Sequence, residues 1–134
     1  MRPLKVGLFL TPWIEADTGG VPPWADVLAR ARFAEQAGFD SIWISDHLLI
    51  QPEGEPRIGG WEGWSLIAAL AASVPRVEIG ALVMCLLWRN PALTAKMADT
   101  VEEISRGRLI LGVGAGWHEP EFRAFGYPFD RRID

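Results

Sequence analysis

The chain has 134 residues, 49% of them hydrophobic and 22% charged, with a formal net charge of −4. That balance belongs to a folded globular domain and excludes the disordered class. The mild acidity, with arginines only in scattered pairs such as Arg30/Arg32 and Arg131/Arg132, argues against nucleic acid, whose phosphates draw on clustered Lys and Arg.

Length predicts a single domain. Cys85 is the only cysteine, so neither an internal disulfide framework nor a thiolate cluster for zinc can form. The first residues lack the apolar core and small-residue cleavage site of a secretory signal, and no run approaches the roughly 18 apolar residues of a membrane span. A cytoplasmic location with no membrane partner is the expectation.

In chain order, Val6-Gly7-Leu8-Phe9-Leu10 is a continuous apolar run, as a strand buried on both faces requires. Residues 11–23 carry prolines and glycines and read as a loop. Val27, Leu28, Ala31, Ala34 and Ala37 then recur at helical spacing, with Gly38 placed as a C-terminal cap. Ser41-Ile42-Trp43-Ile44-Ser45 is a second strand, followed by Asp46-His47. Residues 51–60 read as a Gly- and Pro-rich loop, and residues 64–73 as a helix ended by Pro75. A third strand is expected at residues 77–83. Asn90-Pro91 pairs an N-cap with a proline at the first helical position, opening a helix whose apolar face is Leu93, Met97, Val101 and Ile104 and which Gly107 closes. A fourth strand is expected at residues 108–113, running into Gly114-Ala115-Gly116.

Alternating helices and apolar strands imply an α/β fold with parallel strands joined by right-handed crossovers. Both an open doubly wound sheet and a barrel satisfy the pattern, and in both the chemistry gathers at the strand C-termini. Those ends hold Thr11-Pro12-Trp13, Asp46-His47, Met84-Cys85 and Gly114-Ala115-Gly116-Trp117-His118.

His47 is the most informative residue there, because imidazole can give or take a proton near cellular pH; the alternative is a structural histidine bonded to nearby backbone. Asp46 could orient a ring, accept a proton or cap the next segment, and adjacent strand residues face opposite ways. A metal needs three or four ligands, and His47, His118 and scattered carboxylates do not make such a set. The glycine run departs from the dinucleotide fingerprint at Trp117 and His118; it reads either as close backbone approach to a flat ligand or as a tight turn. Of the seven tryptophans, Trp43 and Trp64 read as core, whereas Trp13, Trp88 and Trp117 fall at strand ends where rings can line a pocket. Cys85 reads as a small buried hydrophobe.

The pieces Val6-Gly7-Leu8-Phe9, Ala34-Glu35-Gln36-Ala37-Gly38-Phe39-Asp40, Ser45-Asp46-His47, Trp88-Arg89-Asn90-Pro91, Ile104-Ser105-Arg106-Gly107-Arg108, Leu111-Gly112-Val113-Gly114-Ala115-Gly116-Trp117 and Glu119-Pro120-Glu121-Phe122 occur together and in order. With them the chain resembles the luciferase-like monooxygenases and their F420-dependent relatives from end to end. The resemblance implies that residues 1–134 are a truncated luciferase-like domain, the N-terminal half of a (β/α)8 TIM-type barrel comprising roughly its first four β/α units. It implies coenzyme F420, or alternatively FMN, bound at the strand C-termini, with His47 as the catalytic proton-transfer residue. Asp46, Met84, Cys85, Ala115 and Gly116 would touch the cofactor, and a non-prolyl cis peptide would fall near Val83, Met84 or Cys85.

The implied activity is hydride transfer between F420 and a small organic substrate, or flavin-dependent oxygenation; a homodimer is compatible with it. Sugar-phosphate dehydrogenases of the group carry a glutamate where Trp117 stands, so that substrate class does not carry over. The other reading is a catalytically incomplete fragment or non-enzymatic partner subunit that retains half of the barrel.

Overall fold

The computed structural model describes residues 4–11, 13, 20–51 and 53–130. Pro12 and residues 14–19 of the expected first loop, together with Arg131 and Arg132, lie outside the described residues. In chain order the elements are β1 (Gly7–Leu10), α1 (Trp24–Gln36), β2 (Ser41–Ile44), β3 (Leu49–Ile50), β4 (Ile58–Gly59), α2 (Gly63–Ser73), β5 (Glu78–Ala81), β6 (Met84–Cys85), a 3-10 turn (Leu86–Trp88), α3 (Pro91–Ser105), β7 (Leu109–Ile110), β8 (Val113–Gly114) and α4 (Glu119–Phe125).

Four strands form the main sheet in the order β1-β2-β5-β7, every neighbouring pair parallel. Spatial order therefore repeats chain order, and no strand doubles back as it would at the switch point of a doubly wound sheet. Right-handed crossovers running one way keep α1, α2 and α3 on a single face. This is the winding of a barrel, and it resolves the alternative that periodicity leaves open.

Side chains alternate accordingly. Leu10, Ile42, Ile44, Ile79 and Ala81 are buried against Val27, Ala31, Ala34, Ile67, Leu70 and Val101 of the helices in one continuous core. The opposite face carries Phe9, 45% exposed, and Trp43, half-buried. Trp43 is thus not part of the helix-side core that its apolar run suggests, whereas Trp64 is. The helix ends follow sequence chemistry: Asn90 accepts from the N–H groups of Ala92 and Leu93, and Gly38 takes a φ of 86° just after α1.

The strand expected at residues 77–83 is shorter, with a second strand following it, and the one expected at residues 108–113 is split in two. The chain leaves the main sheet after Ala81 and Ile110, and β6 and β8 pair separately in parallel, Met84 with Val113 and Cys85 with Gly114. The break turns Met84 and Cys85 inward, where both are buried. The loop expected at residues 51–60 contains a strand of its own: β3 and β4 form an antiparallel hairpin, to which Trp13 adds a bridge at Gly60.

Gly80 shows how closely the strands approach. A Cβ there would lie 2.7 Å from the Ile110 carbonyl oxygen and 3.1 Å from the Trp43 ring. Gly80→Ala should therefore lower stability by about 1–3 kcal/mol through overpacking. Gly59→Ala, where a Cβ meets nothing within 4 Å, should stay within about 0.5 kcal/mol of the parent; urea unfolding midpoints of both variants check the contrast.

Candidate active site at the strand C-termini

Parallel pairing brings the ends of all four strands to one edge, and a cavity of about 220 Å³ opens there. His47, Asp46, Cys85, Ala115 and Gly116 all border it. Met84 does not: its side chain is fully buried in the main core. The rim is apolar, with Leu82 56%, Val83 42% and Trp117 66% exposed. The peptide between Leu82 and Val83 is cis, at the first of the positions the resemblance implies. A larger hollow of about 490 Å³ follows the outer edge of β1 and α1, but its lining, including Phe9, Ala29 and Phe33, offers no imidazole or carboxylate.

Asp46 and His47 diverge, as adjacent residues leaving a strand must. The Asp46 carboxylate is turned to Arg89, Oδ2 accepting from Nη1 at 2.6 Å and Oδ1 from Nη2 at 2.8 Å, while the Cys85 N–H donates to Oδ2 at 2.7 Å. Burial pushes the Asp46 carboxyl above the usual carboxylate range, against the opposing pull of Arg89 and the Cys85 N–H. Arg89 is itself desolvated, but its bonds to Asp46 and Glu62 outweigh this and hold it more firmly protonated. Glu62 also caps α2, accepting from Trp64 and Ser65 N–H; burial works against its ionised form, yet those bonds and Arg89 hold it below the usual range.

His47 faces the cavity. Its Nδ1 lies 2.8 Å from Oε1 of Glu121, a residue only 1% exposed, and Oε2 of the same carboxylate accepts from the N–H groups of Leu48 at 3.0 Å and Leu49 at 3.3 Å. Trp13 and Trp117 flank the imidazole, with ring centroids at 6.0 and 5.6 Å. His118, the residue just before α4, has its ring centroid 6.3 Å from that of His47 and accepts the Gln51 N–H through Nε2 at 2.9 Å.

Glu121 and His118 thus clamp the chain after β2 onto α4. That helix is held by Phe122, fully buried beside Cys85 and Trp88 in a second small core. Gly116 makes room for it: its φ is 74°, and a Cβ there would sit 2.7 Å from the Phe122 ring and 2.8 Å from Cys85 Sγ. Both conditions exclude other residues.

Sequence reasoning brings His47, Asp46, Cys85, Ala115 and Gly116 to the right edge but gives no role to Arg89, Glu62 or Glu121. Each is one charged residue in an otherwise ordinary polar context, and nothing local reveals that its partner lies tens of residues away. The only trace is that Arg89 and Glu121 fall inside pieces shared with the family.

A parallel sheet wound one way round, with the cavity at its strand C-termini, defines the (β/α)-barrel class of protein. Within that class the sequence matches the luciferase-like monooxygenase family over residues 4–134, and the chain belongs to that family. It is 40% identical over 94 residues to an F420-dependent glucose-6-phosphate dehydrogenase of Amycolatopsis mediterranei, a match covering 68% of this chain and 27% of that protein. Among solved structures it resembles an F420-dependent secondary alcohol dehydrogenase in complex with an F420-acetone adduct (TM-score 0.67, 27% identity, 84% of this chain and 32% of the other). It also resembles the oxygenating constituent of 3,6-diketocamphane monooxygenase of Pseudomonas putida in complex with FMN (TM-score 0.70, 25% identity, 91% and 32%). The chain spans about a third or less of the length of these relatives. No helix among the described residues is long and apolar enough to cross a membrane.

Two outcomes follow from the site's electrostatics. Arg89→Ala leaves Asp46 buried without its counter-charge and should cost about 3–5 kcal/mol in urea unfolding, most of it recovered when Asp46→Asn is added. Burial raises the Cys85 thiol above its ordinary value, so Ellman's reagent at neutral pH should label the native protein slowly and the unfolded chain at once.

Proposed function

We propose that these residues form the ring-facing wall of a cytoplasmic F420-dependent oxidoreductase, with FMN as the alternative cofactor, that moves a hydride between the cofactor and a small organic substrate. The observation that carries the reading is His47, an imidazole 20% exposed at the mouth of the cavity, held through one nitrogen. Its other nitrogen has no hydrogen-bond partner among the described residues.

The lining fits the ring of such a cofactor. Its exposed part is apolar or glycine-rich, it contains no Lys or Arg among the described residues, and its unspent polar groups include the His47 imidazole and the buried indole N–H of Trp88. That donor set suits a flat, uncharged ring and gives no hold on a phosphate tail. At about 220 Å³ the cavity is also smaller than the ~300–1,000 Å³ of a complete ligand site, consistent with one wall rather than the whole.

Bound F420 would supply a two-electron hydride acceptor. An alcohol that gives up its C–H hydride must also lose its O–H proton, and Nε2 of His47 is the group placed to take it. Asp46 cannot share that work, because both its oxygens are committed to Arg89 and the Cys85 N–H. Trp13 and Trp117 flank the imidazole and limit the directions from which a substrate can reach it. Oxygenation with FMN is the second reading, favoured by the likeness to the FMN-bound monooxygenase.

The test is a fluorescence titration of the full-length gene product with F420 and FMN, then turnover with secondary alcohols, propan-2-ol first, with and without oxygen consumption. His47→Ala and His47→Asn should each slow hydride transfer by about 10²–10⁴-fold and leave cofactor affinity within a few-fold. Parental rates in both variants make His47 structural, and binding of neither cofactor at tens of micromolar refutes the proposal.

A further inference from the structure

We infer that Glu121 is a positioning residue that fixes the tautomer of His47, keeping the proton on Nδ1 and presenting a bare Nε2 to the cavity. The inference rests on the reading of His47 as the proton-transfer group, and it adds the element that makes one imidazole nitrogen, and not the other, the reacting atom.

The argument begins with the carboxylate. Glu121 is almost wholly inaccessible to water, so both its oxygens must find partners within the protein. Oε2 accepts two backbone N–H groups, those of Leu48 and Leu49. A carboxylate occupied in this way faces the ring as an acceptor, and among the described residues the hydrogen-bond partner of Oε1 is Nδ1 of His47 at 2.8 Å. Nδ1 must then be the donor. In a neutral imidazole the second nitrogen is consequently unprotonated and free to accept.

The geometry is braced from both sides. Glu121 holds the ring through Oε1 and the backbone of the two residues that follow it through Oε2, so the carboxylate is fixed in place opposite Nδ1. Phe122, next in sequence, is fully buried against Cys85 and Trp88 and fixes the turn of α4 from which Glu121 projects. Asp46, the carboxylate adjacent to His47 in sequence, is bound elsewhere. The orienting acid comes from 74 residues downstream. This is the third-group logic of a base oriented by a buried acid.

A neutral base in the other tautomer would point an N–H at the substrate hydroxyl and could not take its proton. Losing the carboxylate should therefore reduce kcat and leave cofactor binding almost untouched. By analogy with other supporting groups the effect should be about 10- to 10²-fold.

The first measurement needs no turnover: nitrogen-15 chemical shifts of the His47 imidazole in the cofactor-free protein, assigned by comparison with His47→Asn. The expected result is a protonated Nδ1 and a bare Nε2. A protonated Nε2 with a bare Nδ1 overturns the inference whether or not any variant folds. In Glu121→Gln, which keeps an acceptor for the backbone N–H groups but loses the charge, the tautomers should mix. The kcat of that variant with F420 and propan-2-ol should fall by the range above, with KM for F420 within about threefold. Glu121→Asp, charged but one carbon shorter, should fall between the two. An unchanged tautomer in Glu121→Gln overturns the positioning role alone. A mixed tautomer with parental turnover in both Glu121→Gln and His47→Asn instead overturns the proton-transfer reading, and the role of Glu121 with it.

Discussion

The buried pair of Asp46 and Arg89 is the interaction on which the site depends. Asp46 lies two residues beyond β2, Arg89 follows the 3-10 turn after β6, and Glu62, on the other side of the guanidinium, caps α2. One arginine therefore joins three stretches of chain that meet only at the strand C-termini. A buried ion pair adds little net stability over a well-packed apolar substitute, because desolvation consumes most of the attraction. Its contribution here is geometric. With both oxygens held, the Asp46 side chain has one orientation, and His47, leaving the strand in the opposite sense, has one as well.

That opposition divides labour between two neighbouring residues. Asp46 is spent on structure, whereas His47 looks into the cavity and keeps one nitrogen without a hydrogen-bond partner among the described residues. Both residues border the cavity. Their chemistry differs because one is paired by a cation and the other by an acid. Cys85 belongs with Asp46 in this division: its N–H holds the carboxylate and its thiol lies against the second core.

The parallel strands and their common edge are legible in the sequence because they rest on short-range rules. Apolar runs of four to six residues, a capping Asn90-Pro91 and a terminating Gly38 each act within a turn or two of chain. The direction of winding is not legible, since sheet order depends on where helices pack and periodicity is blind to it. The break after β5 is hidden for a similar reason: Ile79 to Cys85 carries no polar side chain but the Cys85 thiol, although the chain leaves the main sheet after Ala81. Trp43 misleads because an apolar run does not say which of two faces meets the helices. Glu121 is the hardest case, an acidic residue in a short polar helix whose burial is set by Phe122 beside it and by a hairpin that the glycines and prolines of residues 51–60 disguise as a loop.

The strand order has a consequence for how the chain comes to be folded. Each strand of the main sheet pairs with the one made just before it, a few tens of residues earlier, so every loop to be closed is of similar and moderate length. A chain emerging from the ribosome can add one strand and its covering helix at a time to a surface already in place. The clamp on the site closes late in that sequence, because Glu121 and His118 lie beyond the fourth strand. The imidazole at the end of the second strand is synthesised early and takes up its final orientation only when α4 arrives.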